Sequence, residues 1–288
     1  MKGQLEIKEL GILAQNLITS AGMEAIANGI AFNQAPGFAY IAVGLGTTAP
    51  GSSQTALVQE IYREQVNAGW CPNPGTVRLV AVFGPTVANG DWREFGIFDS
   101  EARRVTVSTC EGTAGWSSDG TLTQETTNVQ QGEASLRAQM TSSGTIAFSS
   151  TSLSVSPGTV TIGTADYLQF WYYTTHDIGT LTVEFGQSPS SRFRWTWAPG
   201  TTNAWACFHQ QFASASVKPS NYASWTLSSS DSYFRITHSA QGTVFDEYLD
   251  WISCFGTAGN MLARGTISAT KQHGHVYNLY YSLKMVAE

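Results

Sequence analysis

Charge is what this sequence lacks most. Of its 288 residues only 12% are Asp, Glu, Lys or Arg, about half the ~25% usual in soluble domains. That shortage excludes a coiled coil or long helix, which would be dense in Ala, Glu, Lys and Leu. The 15 basic residues face 21 acidic ones, for a formal net charge of −6. No basic footprint for nucleic acid is therefore expected. No apolar run approaches the ~18 residues of a spanning helix, so membrane insertion is not expected. The opening MKGQLEIKELG carries acids where a secretory signal needs an apolar stretch, and export by that route is not expected. Cys71, Cys110, Cys207 and Cys254 form no CxxC pair, which argues against structural zinc. There is no GxSxG elbow, no HExxH and no phosphate-binding loop, and the chain is read as non-catalytic.

What is present argues for a packed, mainly β protein. Aromatics reach 12%, with 9 Trp, beside 28 Gly, a composition unlike that of disordered chains. At roughly 150 residues per domain two domains are expected. A composition shift says how they are arranged. Residues 105–254 contain five basic residues (Arg137, Arg192, Arg194, Lys218, Arg235) against 11 acidic ones, a net of −6. The remainder holds 10 of each, and the middle segment holds seven of the nine Trp. The flanks match each other and not the middle, which predicts an inserted domain of about 105–254 within a discontinuous platform of 1–104 plus 255–288.

In the first flank Thr19 and Ser20 can cap a helix carrying Met23, Ile26, Ala27 and Ile30 at helical spacing. FAYIAVGLG, VRLVAVFG, REFGIFDS, MLARGTISA and VYNLYYSLKMV read as strands, which makes the platform a small α+β domain, whereas ALVQEIYREQV fits a short helix or a strand. The middle is a series of short strand-like runs divided by turn residues, the pattern of an antiparallel β-sandwich or barrel. Cys110 and Cys254 bracket it. They read either as a bonded pair or as two small apolar residues where strands enter and leave.

The flanks resemble the N-terminal domain of bacteriophage tail-fibre or tail-collar proteins. The resemblance is carried by ITSAGMEAIANGIA, YIAVGLGTTAPGSSQTALVQEIYREQV, REFGIFDS and GNMLARGTISA. In that family the FGIFD strand runs almost directly into the LARG strand. Here Asp99 and Gly259 are far apart in sequence, a departure that supports an insertion. The resemblance implies a non-enzymatic virion protein, assembled in the bacterial cytoplasm, that attaches to other tail or baseplate proteins and usually trimerises. Arg63, Arg93 and Arg264 match its outline, and Glu94 is placed to pair with one of them and hold the platform together. The insert is similar to a carbohydrate-binding-module jelly roll, through TCEGTAGW, VQQGEASLRAQM, LQFWYYT, TLTVEFGQ and EYLDWIS.

Two sets of residues follow from that second resemblance. Exposed rings of Trp171, Tyr173, Trp195 and Trp197 would stack on sugar faces, while Glu184, Arg192 and Arg194 bond hydroxyls. The alternative is that the rings fill the core, as large apolar rings usually do. The family also often holds a structural Ca²⁺, for which Glu111, Gln131, Glu133 and Asp250 are the matching oxygen donors. A host-surface glycan is thus the expected ligand. The segment's acidity favours a neutral one, since like charges repel. A purely structural, decorating insert and a tail-associated glycan hydrolase are the competing readings.

Overall fold

A computed structural model describes residues 2–7, 10–32, 37–153, 160–163, 165–222, 225–227, 232–256 and 259–284. The chain begins with strands β1 (Lys2–Ile7) and β2 (Ile12–Ile18), helix α1 (Ser20–Phe32), and strands β3 (Tyr40–Gly44), β4 (Glu60–Asn73), β5 (Thr76–Phe83) and β6 (Gly90–Phe98). The middle supplies β7 (Arg103–Ser108), β8 (Trp116–Ser117), β9 (Thr121–Glu125), β10 (Ser135–Met140), β11 (Ile146–Leu153), β12 (Val160–Ile162) and β13 (Tyr167–Thr174). It continues through β14 (Leu181–Ser188), β15 (Ser191–Trp197), β16 (Ala206–Gln211), β17 (Trp225–Leu227), β18 (Ser232–Thr237) and β19 (Phe245–Gly256). Strands β20 (Met261–Lys271) and β21 (Tyr277–Lys284) end it. Two compact units result, one of residues 1–102 with 257–288 and one of 103–256.

The first unit is a closed antiparallel barrel in the order β1-β2-β20-β6-β3-β4-β5-β21, so its strands leave no open edge. Helix α1 starts where the sequence places it: the Thr19 hydroxyl accepts the Gly22 N–H at 3.0 Å, an N-cap bond. From Glu60 onward the ambiguous ALVQEIYREQV is strand and forms the first half of β4, because β3 pairs along Glu60–Gln65 and β5 takes over from Val66. Strands β6 and β20 pair directly, Phe98 with Met261, although the whole second unit lies between them in sequence.

The family motifs of the flanks meet at one buried ion pair. Arg264 donates from Nε and Nη2 to Glu94 Oε2 at 2.9 and 2.7 Å. Glu94 also accepts backbone N–H groups from Gly46, Val58 and Gln59. Arg264 reaches on to the Gln54 amide and the Thr48 carbonyl. Both side chains are fully buried. A Cβ on Gly44 or Gly46 would run into the Glu94 side chain, so glycine at both positions makes room for it. Of the other two arginines, Arg63 pairs with Glu60 in the barrel wall, and Arg93 forms an exposed pair with Asp91.

The second unit is an antiparallel β-sandwich. One sheet runs β16-β13-β19-β10-β9, with β7 also on β19, and the other β15-β14-β18-β11-β8. Alternation along each strand sends one row inward: Leu168, Phe170 and Tyr172 from β13, Leu181, Val183 and Phe185 from β14, Phe234 and Ile236 from β18. Phe170 stacks on Phe208 at 4.6 Å, and Phe193 meets Trp225 edge-on at 5.1 Å. The chain enters this unit at Arg103 and leaves at Gly256, which are register partners on β7 and β19. None of the four cysteines is disulfide-bonded. Cys254 lies opposite Val105, and Cys110 follows beyond Ser108 after the end of β7. Both are small buried residues of the core.

Candidate functional site: the outer face of the second sheet

Three adjacent strands of the second sheet, β15, β14 and β18, form a polar grid on its outer face. Cross-strand partners share a face, so each row can be read from the register. Thr182 lies between Thr196 and Thr237, Glu184 between Arg194 and Arg235, and Gly186 between Arg192 and Tyr233. The row at Gly186 has no central side chain, and its two neighbours bond Glu184 instead. Arg192 Nε donates to Glu184 Oε1 at 2.6 Å, and Arg194 Nε to the same oxygen at 2.8 Å. The Tyr233 hydroxyl donates to Oε2 at 2.7 Å. Burial alone would raise the Glu184 pKa, but the bonds from Tyr233, Arg192 and Arg194 outweigh it and hold it below the usual carboxylate range. Glu184 is therefore a fixed anion that orients two guanidinium groups.

A groove of about 560 Å³ opens over this grid, lined by Thr145, Thr182, Glu184, Pro189, Arg192, Arg194, Tyr233, Arg235, Thr237 and His238. Its wall is almost wholly hydrogen-bonding groups, with forked guanidinium donors at its centre. Such a surface can bind a hydroxyl-rich ligand by directed bonds. Glu184 is the one carboxylate among the described residues that line it, whereas glycoside hydrolysis ordinarily uses two.

Of the seven residues expected to hold sugar, Glu184, Arg192 and Arg194 come together here. The four rings do not join them. Trp195 is 4% exposed and sits in the sandwich core, with Trp197 packed against that core. Both alternate with the arginines on β15, so an outward Arg192 and Arg194 force them inward. Trp171 lies on the outer side of β13 in the other sheet and is 3% exposed, too covered to stack on a sugar. Tyr173, half-buried on that same side, packs against Tyr248 at 5.2 Å and Trp205 at 5.6 Å. Tyr233 and Arg235 were not anticipated. The alternation of SYFRIT, the same as that of RFRWTW, puts the two on one face of β18, and the pairing of β18 with β14 sets that face over the groove.

The four expected calcium donors gather around one loop. Asp250 is fully buried, and its Oδ2 accepts the N–H groups of Gln130 and Gln131 at 2.9 and 2.8 Å. Burial pushes its carboxyl up to about 7, against the two N–H bonds, and the charge of Glu111 adds to the rise. Asp250 Oδ1 and Gln131 Oε1 are buried without a hydrogen-bond donor. Glu111 accepts the Glu133 N–H at 2.9 Å, while the Glu133 side chain itself is exposed. Among the described residues no three acidic, His or Cys side chains converge closely enough to hold an ion by themselves. Buried oxygens lacking donors nevertheless suit a hard cation, and Asp250, Gln131 and Glu111 are the residues placed to serve it.

A third polar cluster lies inside the sandwich. The Tyr172 hydroxyl donates to Glu247 Oε1, and His238 Nε2 lies 3.4 Å from Glu247 Oε2. Both His238 and Glu247 side chains are fully buried. Burial opposes protonation of His238, but its bond to Glu247 and that group's charge outweigh it and raise its pKa.

Comparison with known proteins agrees with the motifs. Residues 13–152 match the family model of the phage tail-collar fibre protein, N-terminal domain. The match begins in β2 and extends past Ala102 into the second unit. A search of the curated proteins gave no match. Among solved structures, the chain is similar to the family 30 carbohydrate-binding module of a cellulosomal cellulase of Clostridium thermocellum. Identity is 14%, over 53% of this chain and 96% of that one, with a TM-score of 0.36. A family 11 carbohydrate-binding module from a second cellulase of the same organism shows 13% identity over 55% and 97%, with a TM-score of 0.35.

Proposed function

We propose that this protein is a non-enzymatic structural component of a phage tail or baseplate, and that its β-sandwich binds a host-surface glycan in the groove over Glu184. The tail assignment rests on the match to tail-collar fibre N-terminal domains. The glycan reading is carried by one observation: Glu184 holds Arg192, Arg194 and Tyr233 in a fixed array at the floor of an open polar groove. Such preorganised donors lose little freedom on binding. A single groove gives modest affinity, and copies in one virion, three in the trimer the family resemblance implies, act together through avidity.

The test is a glycan array probed with the full-length protein beside Glu184→Gln. Binding by the parent that weakens in the variant, which loses the anion holding Arg192 and Arg194 in place, supports the reading. No signal on any host-derived glycan would leave the purely structural, decorating role. Ca²⁺ bound by Asp250, Gln131 and Glu111 would brace the loop between β9 and β10, as a structural ion and not a reacting one. Its check is thermal unfolding in calcium against a chelator. A rise in Tm that Asp250→Asn abolishes is expected, and an equal Tm in both buffers would refute it.

A further inference from the structure

The groove has a charge opposite to that of the segment around it. Residues 105–254 contain five basic residues, and three of them, Arg192, Arg194 and Arg235, line this one groove. Glu184 is the single carboxylate of the lining. Asp119 also acts on Arg235, but its Oδ2 is occupied by the N–H groups of Thr145 and Ile146. Three guanidinium groups against two carboxylates leave a surplus of one positive charge, in a segment that nets −6. Glu184 is committed to Arg192, Arg194 and Tyr233, so it cannot neutralise Arg235, its other cross-strand neighbour. The Arg235 Nε is buried and has no hydrogen-bond acceptor. Side-chain exposures of 22% for Arg192 and 39% for Arg194 leave both reachable from solvent.

We infer that the groove selects glycans bearing a carboxylate, an acidic sugar unit whose anion is taken up by Arg194 and Arg235. This rests on the glycan-binding reading above and specifies its ligand class. It reverses the expectation of a neutral ligand. That expectation used the charge of the whole segment, whereas a bound anion responds chiefly to charges within a Debye length, about 8 Å at physiological salt. Guanidinium groups pair with carboxylates by two parallel bonds, and a neutral hydroxyl offers no equivalent partner.

The test uses full-length protein and matched probes: tetragalacturonate and trisialic acid, each beside its carboxyl-reduced form, with host-derived polysaccharides treated in the same two ways. Binding to an acidic form that weakens at least about tenfold on reduction is expected, the loss of one charge-assisted bond. It should weaken similarly in Arg194→Gln and Arg235→Gln, with far-ultraviolet circular dichroism unchanged. If either variant fails to fold, the salt series decides: affinity of the parent for the acidic form should fall between 50 and 500 mM NaCl, as screening requires. Equal binding to acidic and reduced forms would overturn the inference and leave glycan binding intact. No binding to any probe or host polysaccharide would overturn both.

Discussion

Each unit of this protein is built around a glutamate held by arginine, and the two differ in burial. In the barrel, Glu94 and Arg264 are both inaccessible, and each is also satisfied by neighbouring backbone or amide groups. In the sandwich, Glu184 is nearly covered, but Arg192 and Arg194 keep 22% and 39% of their side chains exposed. The same chemistry therefore does two different things. A closed pair has no capacity left for a ligand and serves the fold. An open one fixes the anion and leaves guanidinium edges facing solvent. Burial, more than residue type, separates a charge pair sealed into the fold from one open to solvent in this chain.

Breaking the closed pair should have the largest effect. Arg264→Met leaves the Glu94 carboxylate buried without its cation, a change that costs about 3–5 kcal/mol. Calorimetric and denaturant unfolding of the variant beside the parent would measure it. A loss below about 1 kcal/mol would show that the backbone donors alone suffice. Trp195→Ala belongs to the same class. It removes a ring that touches Phe193, Phe208 and Phe212, and about 3–5 kcal/mol is expected for a large core aromatic. Calorimetry that found the variant as stable as the parent would return Trp195 to the surface.

These two sites also show what the sequence made legible. The Glu94 partner could be narrowed to three arginines because the motifs fix their order. Only the register, Glu94 opposite Thr266 and near Arg264 on β20, selects one. In RFRWTW alternation separates arginines from rings, but it does not say which row faces the core. The sandwich decides that by burying Phe193 and Trp195. Tyr233 and Arg235 belong to the site only because β18 pairs with β14, a contact between distant segments that no local pattern reveals. Cys110 and Cys254 are the converse case. Their positions bracketing the insert leave a bond or two small core residues open, and the ladder between β7 and β19, which sets Val105 opposite Cys254, decides for the core.

The inner cluster sharpens the comparison at intermediate strength, because its charge depends on pH. His238 has a folded pKa above its unfolded value. Its contribution is thus full below the unfolded value of about 6.5 and is lost as pH rises through the folded pKa. The expected result is a Tm component that declines from near neutral pH upward and is absent in His238→Gln. A variant whose Tm falls in parallel with the parent over that range would assign the decline to another group.

The smallest effect on stability, and the most informative, is expected at Arg194. Its side chain is more than a third exposed, so its pair with Glu184 is screened by water and contributes about 1 kcal/mol or less. Arg194→Ala should therefore unfold almost as the parent does. Glu184 would keep its bonds from Arg192 and Tyr233, so the anion at the floor of the groove would stay in place. Glycan binding should nevertheless weaken by about tenfold, the loss expected for one charge-assisted bond. Equilibrium unfolding and glycan titration on the same preparation would separate the two readouts. An arginine that serves only the fold would lower both together, as Arg264→Met is expected to do through the barrel. An arginine held ready for a ligand lowers binding alone, and a variant that binds like the parent would show that the open pair of the sandwich is as purely structural as the closed one.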